Sequence, residues 1–242
     1  MISSLFNTLF YNPLYNGLVL LIDVLPWLDL GLAIILFTIL VKLALFPLSQ
    51  KSVRTQAKIK EVEPQIKEIK EKYKDKQEQA VKTMELYKRE NINPFSGFFV
   101  ILIQIPIIFA LYFIFLRAGF PEINTEILYQ FVKIPKQINT VFIGLIDVLE
   151  KSFILALFAG ITQFFQAKLA SPKLEPKKEG AGFGADFARS MSLQMKYVFP
   201  IIMFFIAYSI SAAIALYLTT SNLFMIGQEL YAKRALNKEK NG

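Results

Sequence analysis

The sequence predicts an all-α membrane protein. We expect five transmembrane helices around a hydrophilic groove, a cytoplasmic helical hairpin, an external N-terminus and a cytoplasmic C-terminus. Three observations support this prediction: 54% of the 242 residues are hydrophobic and 14% aromatic, above the usual apolar share of soluble domains; several apolar runs approach the length of a bilayer crossing; and Lys and Arg are concentrated in alternate connections between those runs.

Composition also excludes several classes of site. The chain contains no Cys and no His, which removes disulfides, thiolate or imidazole metal sites and imidazole bases. We therefore expect no cofactor, no metal and no enzymatic activity. The formal charge is +8. In a membrane protein such an excess marks cytoplasmic loops and contact with anionic lipids rather than specific nucleic-acid binding.

Residues 1–28 are predicted to form an external interfacial amphipathic helix. Their apolar part, residues 14–25, is too short for a crossing and contains Asn16 and Asp23. No Lys or Arg precedes residue 42, so we expect no cleaved signal peptide. Pro26 and Trp27 mark the membrane interface.

The first crossing is predicted at residues 29–48, and it contains Lys42. A cation at membrane depth costs about 2.5–3.5 kcal/mol on insertion scales, so it needs compensation. One interpretation is that the long Lys42 side chain snorkels to the membrane surface. The helix end near Pro47 lies about 7 Å further along the axis, within reach of that side chain. The other is a hydrated functional site. The nearest acids in the sequence, Asp29 and Glu61, lie beyond the ends of the span.

Residues 49–94 are predicted to form a cytoplasmic helical hairpin. Twelve basic residues fall between positions 43 and 95, and a water-exposed face is the simplest interpretation of that charge, with direct RNA binding as the weaker alternative. Apolar residues recur at helical spacing on both sides of a polar break at residues 74–76. These residues are Val62, Ile66, Ile69 and Tyr73 in the first half, and Val81, Met84 and Tyr87 in the second.

The second crossing is predicted at 95–117, with Pro106 favouring a kink. An external loop at 118–151 follows, in which we expect a short surface helix through Ile123, Ile127, Leu128 and Phe131. The third crossing is predicted at 152–168. A flexible cytoplasmic loop at 169–196 comes next, rich in Pro and Gly.

The apolar run from 197 to 227 is too long for one crossing, because a single helix would extend about 46 Å against a hydrocarbon core of about 30 Å. We predict two crossings, at 197–210 and 211–231, bent near residues 209–211, followed by a basic tail at 232–242. The counts of Lys and Arg along the successive connections are then 0, 12, 4, 6, 0 and 4. This alternation favours five crossings with the N-terminus outside.

Polar side chains recur inside the predicted crossings. Thr38 and Lys42 are four residues apart and share one helix face. For each neutral side chain, an interhelical hydrogen bond worth about 0.6 kcal/mol is the simpler explanation. Because four helices contribute, together with a cation, we favour a hydrated groove, with Tyr217 as a wall aromatic. The groove candidates are Lys42, Thr38, Gln104, Gln163, Thr162, Gln166, Thr220, Ser221 and Asn222, with Thr219 beside them.

Ordered blocks in the sequence carry a family resemblance. The first is Thr38-Ile39-Leu40-Val41-Lys42 followed by Phe46-Pro47-Leu48, and the second is Leu86-Tyr87-Lys88 leading to Asn93-Pro94. Leu102 to Ile107 and Leu216-Tyr217 before Ser221-Asn222-Leu223 complete the pattern. Over residues 1–236 it resembles the YidC/Oxa/Alb family of membrane protein insertases, in the short bacterial form that has no large periplasmic domain.

The resemblance implies a groove open to the cytoplasm and to lipid, past which nascent membrane proteins slide into the bilayer of the bacterial plasma membrane. Lys42 stands where the family has its groove Arg, Thr38 matches a groove Thr one turn away, and Gln104 and Ile105 match the motif of the second helix. The implied substrate slide comprises Ile105, Ile108, Tyr217 and Leu218, with Ile108 and Leu218 standing where an aromatic is frequent. The candidate partners are nascent membrane proteins, the ribosome, a Sec-type translocon and anionic lipids.

Two other function classes use the same residues. The first is a small ion or solute transporter, which an inverted repeat would favour, although the sequence shows no such repeat. The second is an intramembrane hydrolase that pairs Lys42 with Ser221 or Ser211. No nucleophile motif surrounds either serine.

Overall fold

The computed structural model describes residues 2–93, 96–117, 120, 122–170, 190 and 193–241, so most of the loop predicted at 169–196 lies outside the described residues. The described chain is mostly helical, as the sequence predicts. The helices are α1 (Ile2–Phe6), α2 (Asn12–Val24), α3 (Leu30–Ala44), α4 (Phe46–Glu61), α5 (Glu63–Lys72), α6 (Lys76–Arg89), α7 (Ser96–Arg117), α8 (Phe153–Ala170), α9 (Phe199–Ile210) and α10 (Ala212–Asn241). The π-helical segment Asn7–Tyr11 leads into α2, and the π-helical segment Gln194–Val198 leads into α9.

Helix α8 packs against both α9 and α10, and α10 also contacts α3 and α4. Small residues allow this close approach: Ala156, Ala159, Ala212, Ala213 and Ala215 have no exposed surface. Large apolar side chains point outward from the same helices. The helices therefore meet through small residues and present bulky ones to the surroundings.

The first predicted crossing, residues 29–48, is not one straight helix. Helix α3 ends at Ala44, and α4 starts at a bend of 72° with Pro47 in its first turn. With 15 residues, α3 is about 22 Å long. Helix α8 is unbroken and is long and apolar enough to cross a membrane, whereas α3 and α4 pass that test only as a bent pair.

Helices α9 and α10 are separated by Ser211, whose backbone is extended. Because a helix begins again at residue 212, its first backbone N–H groups need acceptors from elsewhere. The amide of Ala212 donates to the carbonyl of Glu150 at 2.7 Å, and the amide of Ala213 donates to that of Val148 at 2.8 Å. The loop before α8 thereby caps the start of α10.

The expectation of a surface helix around residues 123–131 is wrong. That stretch has only a 3-10 turn, Thr125–Ile127, because side chains of α2 bind its backbone. The Asn16 amide accepts from the Tyr129 N–H at 2.7 Å and donates to the Ile127 carbonyl at 2.8 Å. These bonds replace the intrahelical ones. Six residues of α2 are buried, so this helix packs into the bundle more deeply than a helix lying on a surface.

The sequence analysis also did not anticipate a short β-hairpin in the same loop. Strands β1 (Val141–Phe142) and β2 (Ile146–Asp147) pair antiparallel, with Phe142 opposite Ile146. Asp29 joins this β-hairpin to α3, since one carboxylate oxygen caps the Leu32 amide at 2.9 Å and the other accepts from the Ile143 amide at 3.1 Å. The start of α3 and the β-hairpin therefore form one unit.

Helices α5 and α6 form a helical hairpin. The side chain of Asp75, just before α6, caps the start of that helix. The small core of the helical hairpin contains Val62, Leu86 and Ile92. The predicted stripe in the second half is only partly used, because Val81 and Met84 are exposed and Leu86 fills the interior instead.

Gly31 permits the close contact between α3 and the β-hairpin, which yields a stability prediction. A Cβ at this position would lie 2.7 Å from Cγ and 2.8 Å from Cβ of Phe142. We expect Gly31→Ala to destabilise the fold by about 1–3 kcal/mol through overpacking, measured as a lower thermal midpoint. Gly227→Ala is the matched control: no atom lies within 4 Å of its Cβ position, so we expect a gain of up to about 1 kcal/mol. Equal midpoints for the two variants would contradict the packing argument.

Candidate functional site

Lys42 lies on α3 with only 8% of its surface exposed. Its ammonium group donates to Oε1 of Gln104 on α7 at 2.9 Å. One turn earlier, the buried Thr38 hydroxyl donates to the Ile34 carbonyl at 2.6 Å. The Lys42 side chain is therefore directed at a neighbouring helix, which favours the site interpretation over snorkelling.

Gln104 extends this contact to a third helix. Its amide nitrogen donates to the hydroxyl oxygen of Tyr217 on α10. Tyr217 is 4% exposed, and the buried Ser221 lies one turn further along α10. The amide presents its oxygen to the cation and its N–H to the phenol. A continuous chain of side chains thus runs from α3 through α7 to α10.

A second polar group joins α8 to α10. The amide nitrogen of Asn222 donates to the Thr162 hydroxyl oxygen at 3.2 Å and to the Ala159 carbonyl at 3.4 Å. Thr162 in turn donates to the Phe158 carbonyl at 2.8 Å. Both side chains are buried, so this group matches the interhelical hydrogen bonds that were the simpler explanation of these residues.

The remaining candidates lie at the edges of these two groups. The Gln163 amide donates to Oε1 of Gln166 on the same helix at 3.3 Å. Thr220 is half-buried, and the buried Thr219 hydroxyl has no hydrogen-bond partner within the described part of the chain. The four slide candidates do not share one surface: Ile105 is exposed and Ile108 half-buried, whereas Tyr217 and Leu218 are buried.

Lys42 is not balanced by an acid within the apolar helices. The predicted crossings contain no Asp or Glu between positions 30–48, 95–117, 152–168 and 197–228. The partner that the cation has, the Gln104 carbonyl, is neutral. Chemically, the site is a buried cation held between helices by an uncharged hydrogen-bond acceptor.

Sequence reasoning missed a third cluster at the base of the helical hairpin. The Lys60 ammonium lies 3.1 Å from a Glu229 carboxylate oxygen, and the two side chains are 16% and 5% exposed. Lys60 also donates to the Leu169 carbonyl at the end of α8. Burial lowers the pKa of Lys60, and the Glu229 carboxylate opposes that shift. The sequence feature that could have indicated this cluster is Glu229, an acidic residue just after the apolar run at 197–227.

Beside this ion pair, Gln228 connects α10 to α4 through neutral groups. Its amide nitrogen donates to the Ser49 hydroxyl oxygen at 2.9 Å and to Oε1 of Gln50 at 3.1 Å. Helix α4 is thus attached to α10 by an ion pair near its end and by hydrogen bonds near its start.

The chain is similar to a known protein family and to named proteins. The family model described as 60Kd inner membrane protein matches residues 22–240. A Clostridium tetani protein named membrane protein insertase YidC is 34% identical over 210 residues, covering 86% of this chain and 83% of that protein. A Francisella tularensis subsp. novicida protein of the same name is 34% identical over 200 residues, covering 82% of this chain and 31% of the relative. The chain therefore spans about a third of the Francisella protein.

A solved structure shares the fold. The crystal structure of an active YidC insertase with its first transmembrane domain resolved superposes with a TM-score of 0.51 at 23% identity, covering 93% of this chain and 48% of that one. The match of the family model over most of the chain, together with the Clostridium relative, settles the classification. This chain belongs to the 60Kd inner membrane protein family, which confirms the resemblance to YidC-type membrane proteins.

Proposed function

We propose that this protein is a membrane protein insertase that moves short polar segments of nascent membrane proteins part-way through a hydrated, lipid-open groove and releases their helices into the bilayer. The relatives that carry this name support the proposal. The observation that carries it is the position of Lys42, a cation between α3, α7 and α10 whose partner is a neutral amide. The named relatives give no support to the alternative of an ion or solute transporter.

We infer five crossings at the predicted positions, with the N-terminus outside and the C-terminus in the cytoplasm of a bacterial plasma membrane. The alternation of basic connections supports this orientation. Helix α9 and the π-helical segment before it form one apolar helix, Gln194–Ile210, which at 1.5 Å per residue is about 25 Å long, below the thickness of about 30 Å of the hydrocarbon core. Short helices thin the surrounding bilayer, which shortens the dry distance that a polar segment must cross.

The proposed step at Lys42 is an exchange of partners. An acidic residue in the outgoing segment replaces the Gln104 carbonyl on the ammonium group. Two unit charges 4 Å apart attract by about 4 kcal/mol at an effective dielectric constant of 20, whereas a hydrogen bond between a charged group and a neutral one contributes about 1.5–3 kcal/mol. The exchange therefore favours acidic segments. Lys, unlike Arg, acts as a point charge and not as a bidentate clamp.

The proposed release step follows from hydrophobic burial. The apolar helix of the substrate enters lipid with a gain of about 25 cal/mol for each Å² of apolar surface removed from water. We infer that breaking the Gln104–Tyr217 hydrogen bond separates α7 from α10 and uncovers Tyr217 and Leu218 beside the exposed Ile105. That opening would assemble the four residues of the proposed slide.

We propose nascent membrane proteins as the substrates. The helical hairpin and the basic tail meet them first, and the same surfaces fit anionic headgroups, the ribosome or a Sec-type translocon. Attraction of a polybasic segment to an anionic leaflet amounts to about 1 kcal/mol for each Lys or Arg near the surface.

Site-specific photocrosslinking tests the proposed function. We expect a photoreactive residue at position 104 or 217 to crosslink a stalled nascent membrane protein in inside-out vesicles. A probe at position 205, an exposed Phe on α9, is the matched control and should crosslink lipid. Absence of nascent-chain adducts at both 104 and 217, with ion flux in proteoliposomes, would favour the transporter instead.

A further inference from the structure

The tip of the β-hairpin presents apolar side chains to its surroundings. Six consecutive residues, 141–146, have no polar side chain. Leu145 is 77% exposed, more than any other large apolar side chain described, and Ile143 is 58% exposed. Phe142 points the other way, onto Gly31 of α3. We define the hairpin tip as residues 143–145.

The hairpin tip is held in place, so its exposure is built into the fold. The Ile143 amide donates to Asp29 at 3.1 Å, and the Leu30 amide donates to the Asn139 carbonyl at 2.7 Å. The carboxylate of Asp147 is also engaged, by the Thr140 hydroxyl at 3.1 Å and the Leu149 amide at 2.9 Å. Polar groups of the β-hairpin therefore face one another and the bundle, and the apolar ones face outward.

Two residues of the hairpin tip have a left-handed backbone. Ile143 has φ +46° and Gly144 has φ +74°. Glycine adopts such angles freely, but a β-branched residue does so only at a conformational cost. Asn or Asp is the usual residue before Gly in such a turn. An isoleucine at an exposed turn is consistent with an apolar environment for its side chain.

Exposed apolar residues also lie near Asp29, which binds the β-hairpin. Trp27, the single tryptophan of the chain, is 74% exposed and lies two residues before Asp29. Tryptophan is enriched at the membrane–water interface. Leu32 continues the exposed apolar surface along α3. Residues 1–41 contain no Lys or Arg, and the loop 118–151 that carries the β-hairpin contains Lys133, Lys136 and Lys151, against twelve Lys and Arg between positions 43 and 95. This end of the bundle is therefore much less basic than the other.

We propose that the hairpin tip inserts into the lipid leaflet at the Asp29 end of α3, where Ile143 and Leu145 reach the boundary between headgroups and acyl chains beside Trp27. This inference rests on the membrane-spanning arrangement given under the proposed function. Because Asp29 and Gly31 connect the β-hairpin to α3, the anchored tip sets the depth of that helix and of Lys42 in the bilayer. The occupant of this apolar surface is lipid.

The chain is suited to a direct test, since it has no Cys and one Trp. Leu145→Cys, labelled with an environment-sensitive NBD fluorophore, is placed in nanodiscs that contain one protein each. We expect blue-shifted emission, quenched at least twofold by lipids brominated near the top of the acyl chains, with Trp27 quenched in the same discs. Met84→Cys is the matched control, because this exposed apolar residue lies on the helical hairpin; its label should remain unquenched.

A water-like, unquenched signal at position 145 with a quenched Trp27 overturns the proposal and leaves the hairpin tip to a protein partner. Equal quenching at 145 and 84 also overturns it, because the label itself would then be responsible. As a second variant, Leu145→Glu should weaken the quenching of Trp27 by the same lipids; an unchanged Trp27 profile would contradict the anchoring role. None of these readouts needs a substrate, so photocrosslinking from positions 104 and 217 tests the insertase function separately.

Discussion

Lys42→Ala is expected to lower insertion of substrates with acidic translocated segments by about tenfold or more, since a factor of ten corresponds to about 1.4 kcal/mol and the proposed pairing of Lys42 with a substrate carboxylate has a Coulomb attraction of about 4 kcal/mol at 4 Å. Among the residues that the structure describes, no other Lys is hydrogen-bonded to Gln104, so nothing there replaces the lost charge. The measurement is protease protection of a translocated segment in proteoliposomes.

Two controls separate charge from packing. Lys42→Arg keeps the cation and should preserve insertion of the same substrate. A matched substrate whose translocated Asp residues are changed to Asn should insert equally well with the wild type and with Lys42→Ala. Equal insertion of the acidic substrate by both proteins would count against charge attraction while leaving the insertase function intact.

A companion variant tests the exchange of partners. In Gln104→Glu a carboxylate would occupy the position 2.9 Å from the Lys42 ammonium and neutralise it permanently. We expect this variant to reproduce the loss seen with Lys42→Ala for acidic substrates and to spare the Asn-substituted ones. Full activity of Gln104→Glu on acidic substrates would exclude an ion pair between Lys42 and the substrate.

The second large effect concerns the ion pair at the base of the helical hairpin. Breaking a buried ion pair by removing one partner costs about 3–5 kcal/mol, and the 16% exposure of Lys60 reduces that figure somewhat. We expect Glu229→Leu to lower the thermal midpoint by about 5–10 °C, at roughly 2–4 °C for each kcal/mol in a chain of this size. The cause is an ammonium group left buried without its carboxylate. Fluorescence of Trp27 in detergent is the readout.

The double variant Lys60→Met/Glu229→Leu removes both charges and should recover much of the loss, because the penalty comes from the unpaired charge. Lys82→Met is the matched control. Its partner Glu85 lies at 2.9 Å, but both side chains are exposed, and exposed pairs contribute little to stability. A drop in the midpoint for Lys82→Met as large as for Glu229→Leu would show that burial is not what matters.

Local patterns in the sequence were sufficient for the helical class and for the family. Connections rich in Lys and Arg alternate with connections that have few. Lys42, Gln104 and Tyr217 are polar residues within apolar runs, and this made them site candidates. The structure joins these three residues in one hydrogen-bonded chain. The sequence alone could not decide between that chain and separate interhelical bonds, because the three residues lie on three different helices.

What the sequence by itself determined about this protein is its membrane class, its helical composition and its family, since these depend on hydropathy, charge and motifs that are local in the chain. Only the tertiary structure decided that Asp29 binds the Ile143 amide, that Asn16 prevents a helix at Tyr129, and that Lys60 pairs with Glu229. The partners in each of these contacts are more than 100 residues apart. Periodicity reports which face of an element is apolar, but a polar side chain finds its distant partner only when packing brings the two together.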